Sequence, residues 1–345
     1  MNERRTGRDL RAGDLVQVRS EAEILATLDQ DGRLDGLPFM PEMLRHCGET
    51  LRVYRRADKT CAPPVFSGLR RMERTVFLDG ARCDGGAHGG CQVGCLFFWK
   101  EAWLRPVGDG STRPPGRERE RRASPTSLTH DDLLRTIRLP SDGADEVFSC
   151  QATLLPAATS DLPRWDVRQY VRDVRSGNVP AGHAAAILSR GVLRVARRRV
   201  GRILGRPGPR SAEAGPYGAL LPDRSSAPRT AGPRVTDGGS GSLGLQPGER
   251  VRVRSEAEIE ATLDAQGTDR GLAFRPEMRL YFGQEFRVVG RVDRAIDERS
   301  GRLRAFRDCV ILEGIVCSGD FARLCPRAQY FYWREAWLTR VDTTP

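Results

Sequence analysis

Between Cys83 and Cys95 the chain reads C-D-G-G-A-H-G-G-C-Q-V-G-C, three cysteines and a histidine in thirteen residues. A fourth cysteine, Cys61, lies upstream. Thiolate and imidazole are donors that zinc takes four at a time in a tetrahedron. A loop that wraps an ion needs backbone angles that side chains resist, and Gly85, Gly86, Gly89, Gly90 and Gly94 supply them. The candidate metal ligands are therefore Cys61, Cys83, His88, Cys91 and Cys95. Their spacing lacks the paired C-x-x-C or H-x-x-x-H of a standard finger or ribbon. An iron–sulfur cluster is the alternative cofactor. The metal-free alternative is two disulfides, Cys83/Cys91 and Cys61/Cys95. Cys91 and His88 also have the types of a nucleophile and its base, with no third orienting group legible. The plain reading of His88 is a donor to a loop carbonyl; with four cysteines present, it then stands behind the ligands.

A duplication carries this loop. G-D-L-V-Q-V-R-S-E-A-E-I-L-A-T-L-D (13–29) returns as G-E-R-V-R-V-R-S-E-A-E-I-E-A-T-L-D (248–264). G-L-P-F-M-P-E-M (36–43) returns as G-L-A-F-R-P-E-M (271–278), and F-F-W-K-E-A-W-L (97–104) as F-Y-W-R-E-A-W-L (331–338). Two distant copies make a duplicated domain rather than a solenoid. The second copy keeps Cys317 and Cys325 for Cys83 and Cys91. It has Ile296, Ala322 and Gln329 for Cys61, His88 and Cys95. Four ligands cannot survive that loss, although Cys309 adds a thiol, so the second site is read as degenerate.

Each copy predicts the same elements. Leu15–Val18 alternates as a strand. Ser20 with Glu23, and Ser255 with Glu258, form capping boxes that open short helices. Pro41 opens a helical turn with Met43 and Leu44 facing inward. Leu51–Tyr54, Thr75–Leu78 and Phe97–Val107 read as strands, with a bulge or turn at Asp79-Gly80 and a bend near Glu101-Ala102. Trp99, Trp103, Trp333 and Trp337 are retained where the metal-type residues are not, which marks them as core. Glu101 and Glu335 recur beside them, and a buried carboxylate paired with an arginine accounts for both. The order of strands resembles a small Src-homology-3-like barrel, a topology that does not itself imply a function.

The expected organisation is a flexible N-terminus (1–12), a first module (13–107), a linker (108–127), a helical basic middle (128–205), a disordered linker (206–247) and a second module (248–342). The fold class is mainly β with short helices: two homologous small barrel-like modules joined by a helical, partly disordered middle region. In the middle, Thr129 caps a helix with an acidic first turn, 147–155 reads as a strand, and 165–174 has helical spacing through Val167, Tyr170, Val171 and Val174. Along 182–205 an apolar stripe runs through Ala185, Leu188, Val192, Ala196, Val200 and Ile203.

Net charge is +11, and the modules are nearly neutral, so the surplus lies between them. Arg194, Arg197, Arg198, Arg199 and Arg202 are the candidate contacts for an anionic partner, nucleic acid or an anionic membrane surface. Without interleaved aromatics, stacking on single strands is disfavoured. Of the 56 basic residues only Lys59 and Lys100 are lysines. No run of about 18 apolar residues occurs, and the charged N-terminus lacks an apolar signal segment. Both point to a cytoplasmic protein, where thiols stay reduced.

K-T-C (59–61), R-C-D-G (82–85), H-G-G-C (88–91), Cys95 and F-W-K-E-A-W-L (98–104) together resemble a bacterial family of duplicated modules with a C-Q-A-T segment, here Cys150–Thr153, between them. The resemblance implies architecture and no site roles. The expected function is a non-catalytic binding or accessory protein with a structural zinc in its first module, recruiting a protein or anionic partner. A thiol-dependent or iron–sulfur redox protein or enzyme, and a nucleic-acid-binding protein acting through the basic middle, are the alternatives.

Overall fold

A computed structural model describes residues 9–61, 69–107, 128–141, 146–163, 165–203 and 242–341. The linker expected at 108–127 and residues 206–241 of the second one lie outside the described residues. The fold is mainly β with short helices. The chain forms two compact units. The first comprises Met1–Ala184, Ile296–Leu303 and Leu324–Arg327; the second comprises Ala185–Ala295, Arg304–Arg323 and Ala328–Pro345.

In the first unit a five-stranded antiparallel sheet curls into a half-barrel. Its order is Leu96–Lys100, Thr75–Arg82, Thr50–Arg56, Leu15–Val18, Leu104–Pro106. Leu15–Val18 alternates as the sequence predicts, with Val16 and Val18 buried and Leu15 and Gln17 exposed. Asp79-Gly80 falls where the register shifts between Phe77 and Arg82, and Gly80 takes φ 71°, so the bulge reading holds there. The predicted last strand is two strands. The short 3₁₀ turn Glu101–Trp103 interrupts it, and its halves pair at opposite edges of the sheet. This crossing curls the sheet around Val16, Val53, Val76, Trp99 and Trp103, all buried. Phe39 stands edge-on to Trp103 with centroids 5.1 Å apart, and the Trp103 indole donates to Thr27 Oγ1 at 3.0 Å.

Arg56 ties the crossing down. Its buried guanidinium donates to Glu101 Oε1 (2.6 Å), to both Asp58 oxygens (2.8 and 2.9 Å) and to the Leu10 carbonyl (2.9 Å). The N-terminal segment is thus anchored from Leu10 onward rather than free throughout 1–12. Residues 128–184 belong to the same unit for a similar reason. Buried Gln151 accepts from the Phe98 amide at 2.8 Å and donates to the Phe98 and Pro38 carbonyls at 2.9 and 3.0 Å. Asn178 exchanges two hydrogen bonds with the Arg56 backbone, 2.7 and 2.9 Å. Sheet edges that expose unpaired backbone groups are covered this way.

Three expectations for the middle differ from the structure. The 147–155 segment is a strand only at Val147–Phe148 and turns helical at Leu155. The Arg168–Arg175 helix buries Gln169 and Asp173 and leaves Val167 and Val171 exposed. Lys59 is the cause: it is buried, so it needs a counter-charge, and Asp173 supplies it while Tyr170 lies 4.9 Å beneath the ammonium. In the Ala181–Ile203 helix, Ala184 and Ile187 are buried and Leu188 is exposed, so its inner stripe begins one residue earlier than Ala185 and Leu188. None of the described helices is long and apolar enough to cross a membrane.

The second unit repeats the plan in the order Trp333–Arg334, Cys309–Leu312, Glu285–Arg291, Arg250–Val253, Leu338–Arg340. Trp333 and Trp337 are fully buried. Arg291 takes the role of Arg56, donating to Glu335 Oε1 and to the Leu245 carbonyl, each at 2.8 Å. Glu335 also accepts from the Gly244 and Leu245 amides at 2.8 and 3.0 Å.

Arg56→Met should lower stability by about 3–5 kcal/mol, because Glu101 and Asp58 lose their buried counter-charge; urea denaturation reads the loss. Burial alone would raise the Glu335 pKa, but Arg291 and the two amides outweigh it and hold it below the ordinary 4.5. A lowered pKa contributes stability that is present above 4.5 and lost as pH falls through the folded value. The stability gap between the parent and Glu335→Gln should therefore shrink below about pH 4.5, measured by denaturation across pH.

Candidate metal centre

The loop from Cys83 to Cys95 hangs between two paired strands. Arg82 pairs with Leu96, and the Cys83 amide donates to the Cys95 carbonyl at 2.8 Å, so the loop closes at its base. Inside it the His88 and Gly90 amides both bond the Gly85 carbonyl, at 3.1 and 3.0 Å. Gly85 is obligatory. It takes φ 77°, and a Cβ there would stand 2.1 Å from the Cys91 carbonyl oxygen.

This tight loop turns His88 inward until it is 3% exposed. Its two ring nitrogens face different chemistry. Nε2 lies 3.5 Å from Cys83 Sγ, and Cys91 is a second thiol partner of the ring. Nδ1 lies 2.9 Å from Glu42 Oε1, an ion-pair contact. Glu42 comes from the 3₁₀ turn Pro41–His46, and the Ala87 amide donates to its Oε1 at 2.8 Å. Its other oxygen, Oε2, is buried without a partner. Glu42, Cys83 and His88 offer donor atoms that all lie within 4.8 Å of one another, a group that could hold a metal ion.

The electrostatics are those of groups brought together from water. Burial would lower the His88 pKa, but Cys83, Cys91 and Glu42 outweigh it and hold the imidazolium well above its usual range. Burial would raise Glu42, and His88 with the Ala87 amide brings it below the ordinary carboxylate value. Cys83 and Cys150 are raised by burial, and Cys95 is raised strongly by the same cause. A bound cation reverses this logic, since it deprotonates a thiol that coordinates it.

Cys83, His88, Cys91, Cys95 and Cys150 all line one cavity of about 40 Å³, together with Met40, Phe97, Phe98 and Gln151. Four of the five sequence candidates thus line one cavity, and of these Cys83 and His88, with Glu42, bring their donor atoms within 4.8 Å of one another. Cys61 does not line that cavity: its amide donates to Cys325 Sγ at 3.2 Å, and Arg327 donates to its carbonyl at 3.3 Å. Two residues at the site were not singled out from sequence. Glu42 sits in the P-E-M motif that both copies share, legible as a repeat but read only as a helix start. Cys150 belongs to the C-Q-A-T segment, whose Gln151 fixes it to the sheet edge. The side chains of Arg194, Arg197, Arg198, Arg199 and Arg202 lie outside the described residues. In the second unit Glu277 bonds the Ser318 amide at 2.7 Å and contacts Cys317, and no histidine completes the group.

Comparison of the chain with family models, with curated proteins and with solved structures finds no match.

Gly85→Ala should destroy the loop, through the positive φ and the clash with Cys91 together. The expected outcome is a large drop in thermal midpoint and loss of any bound metal, whereas Gly80→Ala, which meets nothing within 4 Å, should cost only its backbone strain.

Proposed function

We propose that the first unit carries a structural zinc ion held by Cys83, His88, Cys91 and Cys95, with Glu42 behind the histidine, and that the protein serves as a non-catalytic binding or accessory protein. One observation carries the reading: His88 presents Nε2 to thiols while Nδ1 rests against a buried carboxylate. Metal-bound histidines characteristically give their other nitrogen to a carboxylate, which fixes the ring and raises its basicity. A zinc ion at these residues would deprotonate the thiols and leave His88 neutral, with its Nδ1–H facing Glu42. The cavity of about 40 Å³ has the size for an ion, which supports a structural role. The loop beneath it has little secondary structure of its own, so the ion would supply the cross-link that a core supplies elsewhere.

A second reading gains support from Glu42. Cys83, His88 and Glu42 are by type a nucleophile, a base and the orienting group that the sequence did not reveal. Against it, burial raises the Cys83 thiol above its ordinary value, which disfavours the nucleophilic thiolate. For partners, the exposed Trp165, Val167 and Val171 around the Arg168–Arg175 helix support recruitment of a protein; a nucleic acid or anionic membrane surface acting on the arginines of 194–202 is the competing class.

Elemental analysis of anaerobically purified protein should find one zinc per chain, and Cys83→Ala or His88→Ala should abolish it. Glu42→Gln should keep the metal but weaken it by roughly 10–100-fold in a chelator competition. A brown protein absorbing near 400 nm would replace zinc with an iron–sulfur centre. A metal-free protein whose Cys83 alkylates rapidly would favour the nucleophile reading.

A further inference from the structure

We propose that Cys61 and Cys325 form a redox-active dithiol, a modification site separate from the metal centre, which closes to a disulfide when the protein meets a hydroperoxide. The two residues are 264 apart in sequence, and both belong to the first unit. Cys325 Sγ lies 3.2 Å from the Cys61 amide, and the two side chains are hydrogen-bond partners. Two thiols that are hydrogen-bond partners have the proximity that an S–S bond of about 2.05 Å requires. Both cysteines are buried, at 8% and 2% exposure; neither lines the metal cavity, although their neighbours Arg327 and Glu298 do.

The duplication supplies an internal control. Ile296, the counterpart of Cys61, donates its amide to Cys91 Sγ at 3.4 Å, the counterpart of Cys325. The backbone contact is the same on both sides, yet only one side has a second thiol. The sulfur of Cys61 is therefore not demanded by the packing, which isoleucine satisfies.

The surroundings prepare one sulfur to react. Arg327 bonds the Cys61 carbonyl at 3.3 Å while its guanidinium grips Glu298 at 2.7 and 3.1 Å. The Cys325 hydrogen bond, with Arg327, outweighs burial and the Glu298 charge and holds the Cys61 thiol below its ordinary range. The thiolate is the nucleophile in such chemistry. Cys61 thiolate attacks the distal oxygen of the hydroperoxide; the O–O bond breaks, and the leaving alkoxide or hydroxide takes a proton to give alcohol or water. Cys61 is then a sulfenic acid. Cys325 sulfur attacks it, the S–O bond breaks, and the hydroxyl leaves as water with the Cys325 proton. Two thiols are oxidised by two electrons and one peroxide is reduced. The bond would clamp Leu324–Arg327 to the Lys59–Cys61 strand.

The test uses the full chain loaded with zinc, treated with stoichiometric hydrogen peroxide and mapped by mass spectrometry without reduction. The expected result is a loss of two hydrogens, with Cys61 and Cys325 in one linked peptide that dithiothreitol separates. Cys325→Ser should abolish the linked peptide and leave Cys61 trappable as a sulfenic acid by dimedone. Links confined to Cys83, Cys91, Cys95 or Cys150 would overturn the proposal. So would a thiol count unchanged by peroxide, or a second zinc that Cys325→Ser removes. If the variant does not fold, the peptide map of the unmodified chain still decides.

Discussion

The crossing at Glu101–Trp103 depends on a single buried cation. Arg56 has left water, so each of its donors needs an acceptor, and the fold provides Glu101, Asp58 and the Leu10 carbonyl. Those acceptors lie on the crossing turn, on the strand's own exit and on the N-terminal segment. Satisfying one guanidinium therefore fixes three pieces of chain at once. Arg291 repeats the arrangement with Glu335 and the Leu245 carbonyl, and Asp293 sits 3.6 Å from its Nε. The aromatic core closes over this node in both copies. Replacing such a node with apolar groups can be tolerated only if every partner changes together, which explains why both copies kept it.

The metal-type loop is built on that frame but is not part of it. It leaves from Arg82 and returns at Leu96, after the sheet has been defined, and its base is the Arg82–Leu96 pair with the Cys83–Cys95 backbone bond beside it. A loop attached this way can gain or lose ligands without unfolding its sheet. The second unit bears this out: Cys317 still donates its amide to the Gln329 carbonyl at 2.8 Å, the geometry of Cys83 and Cys95, although His88 and Cys95 have become Ala322 and Gln329. Glu277 survives there with a raised pKa, because burial dominates where His88 no longer offers a positive partner.

Local rules made much of the fold legible. Alternation at Leu15–Val18, the capping boxes at Ser20 and Ser255, and the bulge at Asp79-Gly80 involve neighbours a few residues apart. The duplication multiplied each signal by two. The Arg168–Arg175 helix shows where such reasoning stops. Its apolar spacing is real, yet the buried face is polar, because Lys59 is already in the interior and its charge outweighs the transfer energy of two valines.

The sequence by itself determined the two copies, several of their strands, the tryptophan core, the pairing of Glu101 with an arginine, and a glycine loop dense in soft donors. Tertiary structure decided which donors meet. It placed Glu42 behind His88 and Cys150 beside the cavity, and it sent Cys61 away from both toward Cys325. Contacts between residues 42 and 88, or 61 and 325, leave no periodic trace in a chain, since they depend on how the whole sheet closes rather than on the spacing of near neighbours.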